Sequence, residues 1–213
     1  MKMSTKSKVQ ISKFREEHLF QAKDILDSQF GYDYLTICDI KKYLDINSLG
    51  LVAIDGDTVL GLTLIKLGTL REIKNHFLKG KNWFKSRFID LEPIALRKHL
   101  AVLPGMEGKG IGKELVVNGM KILEKHARSI ISIVWEESAG KSVGKILRSC
   151  GSMPIHTLEN YWSMESIEKQ YLCPNCKKPP CRCSATIYAK IIDKKPKRKE
   201  NTIPPHHNDS ILQ

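Results

Sequence analysis

Between Leu100 and Leu115 the chain reads Leu-Ala-Val-Leu-Pro-Gly-Met-Glu-Gly-Lys-Gly-Ile-Gly-Lys-Glu-Leu. A short apolar run reaches a proline, crosses four glycines and opens into an amphipathic repeat. That order predicts a strand, a tight bend and a helix in direct succession. Glycines let backbone N–H groups approach an anion without interference from a Cβ. The helix start adds unpaired N–H donors and a partial positive charge. The bend therefore suits a diphosphate. Two common diphosphate motifs are excluded. A dinucleotide fingerprint needs Gly-x-Gly-x-x-Gly, and Gly108-Lys-Gly-Ile-Gly112 has another spacing. A Walker loop ends in Gly-Lys-Ser/Thr, and Gly112-Lys113 is followed by Glu114.

The flanking sequence predicts the rest of the frame. Lys8–Phe14 alternates as a first strand, and Glu16–Phe30 has helical spacing stopped by Gly31. Ile40–Ile46 reads as a short helix. Leu51–Ile54 and Val59–Leu67 flank Asp55-Gly-Asp57 as a β-hairpin. Gly68–Asp90 mixes Phe77, Trp83, Phe84 and Phe88 with basic residues, which predicts a helical hairpin broken at Gly80. Ile94–Leu103 is the strand before the bend. Gly110–Arg128 is the helix after it, with Ile111, Leu115, Ile122 and Leu123 on one face. Ile130–Trp135 reads as a strand, Lys141–Cys150 as a helix closed by Gly151, and Met153–Trp162 and Ala185–Ile192 as two further strands.

The element order, with Leu-Ala-Val-x-Pro leading into Gly-Lys-Gly-Ile-Gly-Lys, resembles motif A of the GNAT superfamily of N-acetyltransferases. The resemblance runs from about Lys8 to Asp193. It implies an α/β (α+β) acyl-CoA N-acyltransferase fold, a mixed, mostly antiparallel sheet flanked by helices. It implies acetyl-CoA as donor, with Leu100, Ala101 and Val102 pairing with the pantetheine arm. Glu107, Gly108, Lys109, Gly110, Ile111 and Gly112 would then hold the pyrophosphate, and Lys109 and Lys113 would add screened attraction. Two positions depart from the family pattern. Glu107 stands where Gln or Arg is usual. Gly140 and Leu147 stand where the next helix often carries Asn and Tyr, so the usual general acid is missing.

Acetyl transfer to an amine needs a base or a water chain to remove a proton, and optionally an acid for the thiolate. The candidate bases are Glu92, His99, Glu136 and Glu137, and Tyr161 is the candidate replacement acid. Each also has a plainer reading, as a core or solvated side chain.

Cys173-Pro-Asn-Cys176 and Cys181-Arg-Cys183 place four thiols within eleven residues. That spacing matches a tetrahedral four-cysteine zinc site. An iron–sulfur cluster, disulfides and regulatory thiols are the other readings. Four protein ligands would close the site, so a zinc here is structural and staples the final hairpin.

The chain has 213 residues and a formal net charge of +12. Residues 1–193 are expected to form the acetyltransferase domain, with 68–90 as a basic insertion and 194–213 as a disordered basic and polar tail. The charge is concentrated in Gly68–Asp90 and Lys194–Glu200. Such segments are solvated surface or contacts for an anionic partner such as nucleic acid or the ribosome. No apolar run approaches the roughly 20 residues of a membrane span, and no signal region stands at the N-terminus. The expected location is therefore cytoplasmic, with no membrane partner. The expected reaction moves acetyl from acetyl-CoA to a primary amine in a ternary complex, with a protein or peptide amine favoured. The alternative is a catalytically weak binding module whose basic insertion and cysteine hairpin recognise nucleic acid or protein.

Overall fold

The computed structural model describes residues 9–135 and 140–192. Glu136, Glu137 and the predicted tail from residue 194 lie outside the described residues.

Among the described residues, seven strands form one sheet in the order β1-β2-β3-β4-β5-β7-β6. β1 (Gln10–Lys13), β2 (Ser48–Asp55), β3 (Thr58–Gly68) and β4 (Ile94–Val102) run as antiparallel neighbours. β5 (Ser129–Trp135) joins β4 in the one parallel pairing of that sheet. β7 (Ala185–Ile191) lies between β5 and β6 (Met153–Leu158), antiparallel to both. The hairpin expected at Asp55-Gly-Asp57 turns there, between β2 and β3.

Helices cover both faces. α1 (Leu19–Phe30) follows a 3-10 turn and buries Leu19, Ala22, Ile25 and Leu26. α2 (Ile37–Lys41) is the short helix expected further along at Ile40–Ile46. It starts earlier because Thr36 and Asp39 form a capping box, with the Asp39 N–H bonded to the Thr36 hydroxyl at 3.1 Å. α3 (Leu70–Lys74) and α4 (Lys81–Phe88) are the predicted pair, separated by Gly80. Phe77, Phe84 and Phe88 bury fully against Ile94, Leu96 and Ile131 of the sheet. Phe84 is therefore core and cannot serve as a stacking platform for nucleic-acid bases. Trp83 stacks on His156 with ring centres 4.2 Å apart.

On the opposite face α5 (Ile111–Leu123) buries Ile111, Leu115, Val116, Met120 and Leu123. Ile122 is off that face and 37% exposed, against the expected pattern. α6 (Gly140–Ser149) packs Leu147 beside Val116 and Tyr188.

Two expectations fail after β6. The strand predicted to reach Trp162 ends at Leu158, and an unpredicted helix, α7 (Ser163–Lys169), occupies the connection to β7. Trp162 and Tyr161 pack inward there instead of pairing in the sheet.

Candidate functional site

β4 and β5 are paired only from Ile94↔Ser129 to Arg97↔Ser132. Beyond that point β4 continues to Val102 and β5 to Trp135 without pairing to each other, so the sheet splits. A cleft of about 460 Å3 fills the split. One wall is the free edge of Leu100, Ala101 and Val102. The glycine bend closes one end, and Tyr34, Trp162, Tyr171 and Cys181 line the other.

The bend is built for backbone donors. Gly108 and Gly110 have φ of 75° and 86°, a left-handed conformation that most side chains resist. The first helical bond of α5 runs from the Glu114 N–H to the Gly110 carbonyl at 3.0 Å. The N–H groups of Ile111, Gly112 and Lys113 therefore have no acceptor within the helix. All three residues line the cleft, as do Glu107, Gly108 and Gly110. Lys109 is exposed outside it, with its ammonium 3.1 Å from the Met106 sulfur. Glu107 is folded back: its carboxylate accepts from the Gly105 N–H at 2.7 Å and from the Gln29 amide at 3.0 Å. Bonds from its own N–H, from Gln29 and from Gly105 hold its pKa below the ordinary value.

A bulge shapes the middle of β4. Leu64 pairs with His99 and Ile65 with Arg97, which leaves Lys98 as the extra residue. Arg97 and His99 consequently enter opposite layers. Arg97 is 2% exposed and donates to the Ser132 hydroxyl at 3.2 Å, while its Nε and Nη2 have no partner among the described residues. Burial lowers its pKa to about 10. His99 is enclosed by Phe30, Tyr34 and Tyr43, with ring centres 5.8–6.0 Å away, and neither ring nitrogen has a partner among the described residues. Burial, and then the Lys98 charge, push its pKa well down, so the ring is neutral near pH 7.

The other acid–base candidates disperse. Glu92 accepts from the Leu70 N–H at the start of α3 and does not line the cleft. Tyr161 is 2% exposed, and its hydroxyl accepts from the Leu78 N–H at 3.2 Å. It lies past the end of β6, and burial raises its pKa. Arg97, Lys98, Tyr34 and Glu165 did not stand out in the sequence. Isolated residues in ordinary elements carry no motif, and it takes the β4 bulge and an unforeseen helix to bring them to the cleft and its margin.

The four cysteines converge. Their sulfurs all lie within 4.8 Å of one another. Cys173 is 3.8 Å from Cys183, and Cys176 is 3.6 Å from Cys183 and 4.0 Å from Cys181. Tetrahedral zinc with arms of about 2.3 Å sets sulfurs about 3.8 Å apart, so the cage fits. The Cys176 N–H points at the Cys173 sulfur at 3.5 Å, and the Arg182 N–H at the Cys176 sulfur at 3.3 Å. Burial pushes the Cys183 thiol up to about 11. The loop docks on the end of α1. A Cβ on Gly31 would lie 2.2 Å from the Leu172 carbonyl oxygen, a contact only glycine permits. Tyr171, Cys173 and Cys181 thereby become cleft wall.

No family model and no curated protein matches this sequence. Solved structures do match its shape. The ribosomal-protein-S18-alanine N-acetyltransferase from Escherichia coli superposes with a TM-score of 0.61 at 15% identity, covering 89% of this chain and 97% of that one. Arabidopsis thaliana NAA60 in complex with a bisubstrate analogue gives 0.65 at 12% identity, covering 88% and 100%, and it has also been solved with acetyl-CoA. An aminoglycoside 6'-acetyltransferase type Ii gives 0.56 at 14% identity, covering 88% and 99%. With its split seven-stranded sheet and its glycine bend before α5, the chain has the fold of the GNAT N-acetyltransferases.

Proposed function

We propose that this protein transfers an acetyl group from acetyl-CoA to a primary amine. The observation that carries this reading is the cleft itself: an unpaired β4 edge leads straight to a bend with free N–H donors. Pantetheine amides pair with Leu100–Val102, and the pyrophosphate meets Gly108 and Gly110–Lys113, with the Glu107 carboxylate tied aside. The amine attacks the thioester directly in a ternary complex, where proximity supplies much of the rate.

The four cysteines hold one zinc ion. It supplies folding energy to the loop and no catalytic chemistry, because four thiolates leave it no open position. The acceptor amine meets the thioester at the end of the cleft lined by Tyr34, Trp162 and Tyr171. A protein or peptide amine is favoured over a small polycation, since a chain of charge +12 repels free polyamines and attracts anionic assemblies.

Acetyl-CoA at 100 times its dissociation constant should stabilise the fold by about 2.7 kcal/mol. Thiol release in the presence of a suitable amine should accompany it. No melting shift at millimolar acetyl-CoA would overturn the reading. Zinc content near one per chain is expected from elemental analysis, and iron would overturn that assignment.

A further inference from the structure

The acetyl-transfer reading leaves open what takes the proton from the incoming amine, and the inference here rests on that reading. His99 lines the cleft, but both its ring nitrogens are buried among Phe30, Tyr34 and Tyr43, and Glu92 is spent on α3. A second cavity of about 20 Å3 adjoins the cleft and shares Tyr34, Lys98, Ile133 and Trp162 with it. Its remaining walls are Leu78, Tyr161 and Glu165. That volume fits one water molecule, which needs two to four polar partners to stay.

Glu165 supplies an unusual partner. Its side chain is 12% exposed, and one carboxylate oxygen accepts from Lys169 at 3.0 Å. The other oxygen, Oε2, is buried without a partner among the described residues. A buried carboxylate oxygen left bare is costly, and such an atom beside a water-sized polar cavity marks a bound water. Lys98 reaches the same cavity because it is the bulged residue of β4, and it forms no ion pair among the described residues. Burial draws its pKa below the ordinary value, and the Glu165 charge partly restores it. Lys98 from β4, Lys169 from α7, Tyr34 from the α1–α2 connection, and Tyr161 and Tyr171 on either side of α7 are the titratable groups facing Glu165.

We propose that Glu165 accepts the acceptor's proton through one water held in this cavity. The ammonium gives a proton to the water, which passes one to Glu165. The neutral nitrogen attacks the thioester carbon, the C–N bond forms and the C–S bond breaks. The nitrogen's second proton ends on the departing thiolate, and Glu165 releases its proton to solvent.

The test uses the full-length chain with acetyl-CoA and three probes: tripeptides with free α-amines, N-terminally blocked tripeptides bearing lysine, and spermidine. On whichever probe reacts, Glu165→Gln should lower kcat about 30- to 100-fold and leave the acetyl-CoA KM within twofold. It should also move the acid limb of the kcat profile by at least one pH unit. Glu165→Asp should recover to within tenfold of wild type, and Glu168→Gln on the same helix should behave as wild type. A Glu165→Gln rate within threefold, with an unmoved pH profile, overturns the proposal and leaves acetyl transfer standing. So does a loss that Glu165→Asp shares in full together with a lowered melting temperature, because that pattern reports structure alone. If wild type acetylates none of the probes, or fails to respond to acetyl-CoA, the parent reading falls and this one with it.

Discussion

Glu107 is where the residue scale is most exposed to test. A carboxylate beside the proposed diphosphate site would repel the ligand, and its bonds to Gly105 and Gln29 hold it aside. Glu107→Gln keeps an acceptor for the Gly105 N–H and removes the charge. It should tighten acetyl-CoA binding about fivefold at low salt, with the gain shrinking as screening rises. Calorimetric titration at two salt concentrations checks this, and unchanged affinity at low salt would show that the charge is irrelevant. Gly110→Ala probes the backbone instead. A Cβ there meets no atom within 4 Å, so any cost comes from the φ of 86° alone. Destabilisation of about 1 kcal/mol is expected, with a disproportionate loss of the acetyl-CoA melting shift. A stable variant with a full shift would mean that the bend does not depend on its left-handed residue.

Among the elements, the cysteine loop and α4 make opposite claims. The loop is held by its thiol cage and by its dock on Gly31, with little apolar burial of its own beyond the cysteines and Tyr171. If the proposed zinc holds it, a chelator should raise hydrogen exchange across 171–183 and leave the sheet protected. Exchange unchanged by a strong chelator would remove metal from the account. The α4 segment, by contrast, is held by its aromatics. Phe84 stacks on Phe77 at 4.2 Å and is fully buried, so Phe84→Ala should cost about 3–5 kcal/mol in denaturant melts. A cost below about 1 kcal/mol would restore the reading of this basic insertion as a partner-binding surface. Both segments were partly legible beforehand. The break at Gly80 and the four cysteines are local signals, and local signals survive without a fold. α7 was not legible, because Ser163–Lys169 is short and sits between a strand signal and a metal motif. Glu165 was lost with it. Likewise, the Lys98 bulge is set by how β3 and β4 pair, which no local pattern reports.

Acid sensitivity belongs to the whole molecule. His76, half-buried between the α3–α4 hairpin and the sheet, has its pKa lowered from 6.5 to about 4 by burial, Lys98 and Lys66. The folded state thus binds fewer protons than the unfolded state between those values. Unfolding takes up protons there, so stability falls as pH drops from about 7 to 4 and levels off below. His99 acts with the same sign. Discounted for the solvent that reaches His76, its share is about 1–2 kcal/mol. His76→Gln should shrink the fall in stability from urea melts between about pH 7 and pH 4.5 by about 1 kcal/mol, and an equal fall in both proteins would refute the assignment. Strand identities were readable along the chain, but their spatial order was not, since hydrophobic alternation says which face is buried and nothing about which neighbour sits alongside.

That order has one consequence for how the molecule is made. β7, the strand furthest along the described chain, is an interior one, wedged between β5 and β6. Until it leaves the ribosome, one row of backbone groups on β5 and one on β6 stand open to any passing chain. Synthesis of this sheet therefore ends by driving in a keystone, and a polypeptide halted before Ala185 is left with an unclosed arch.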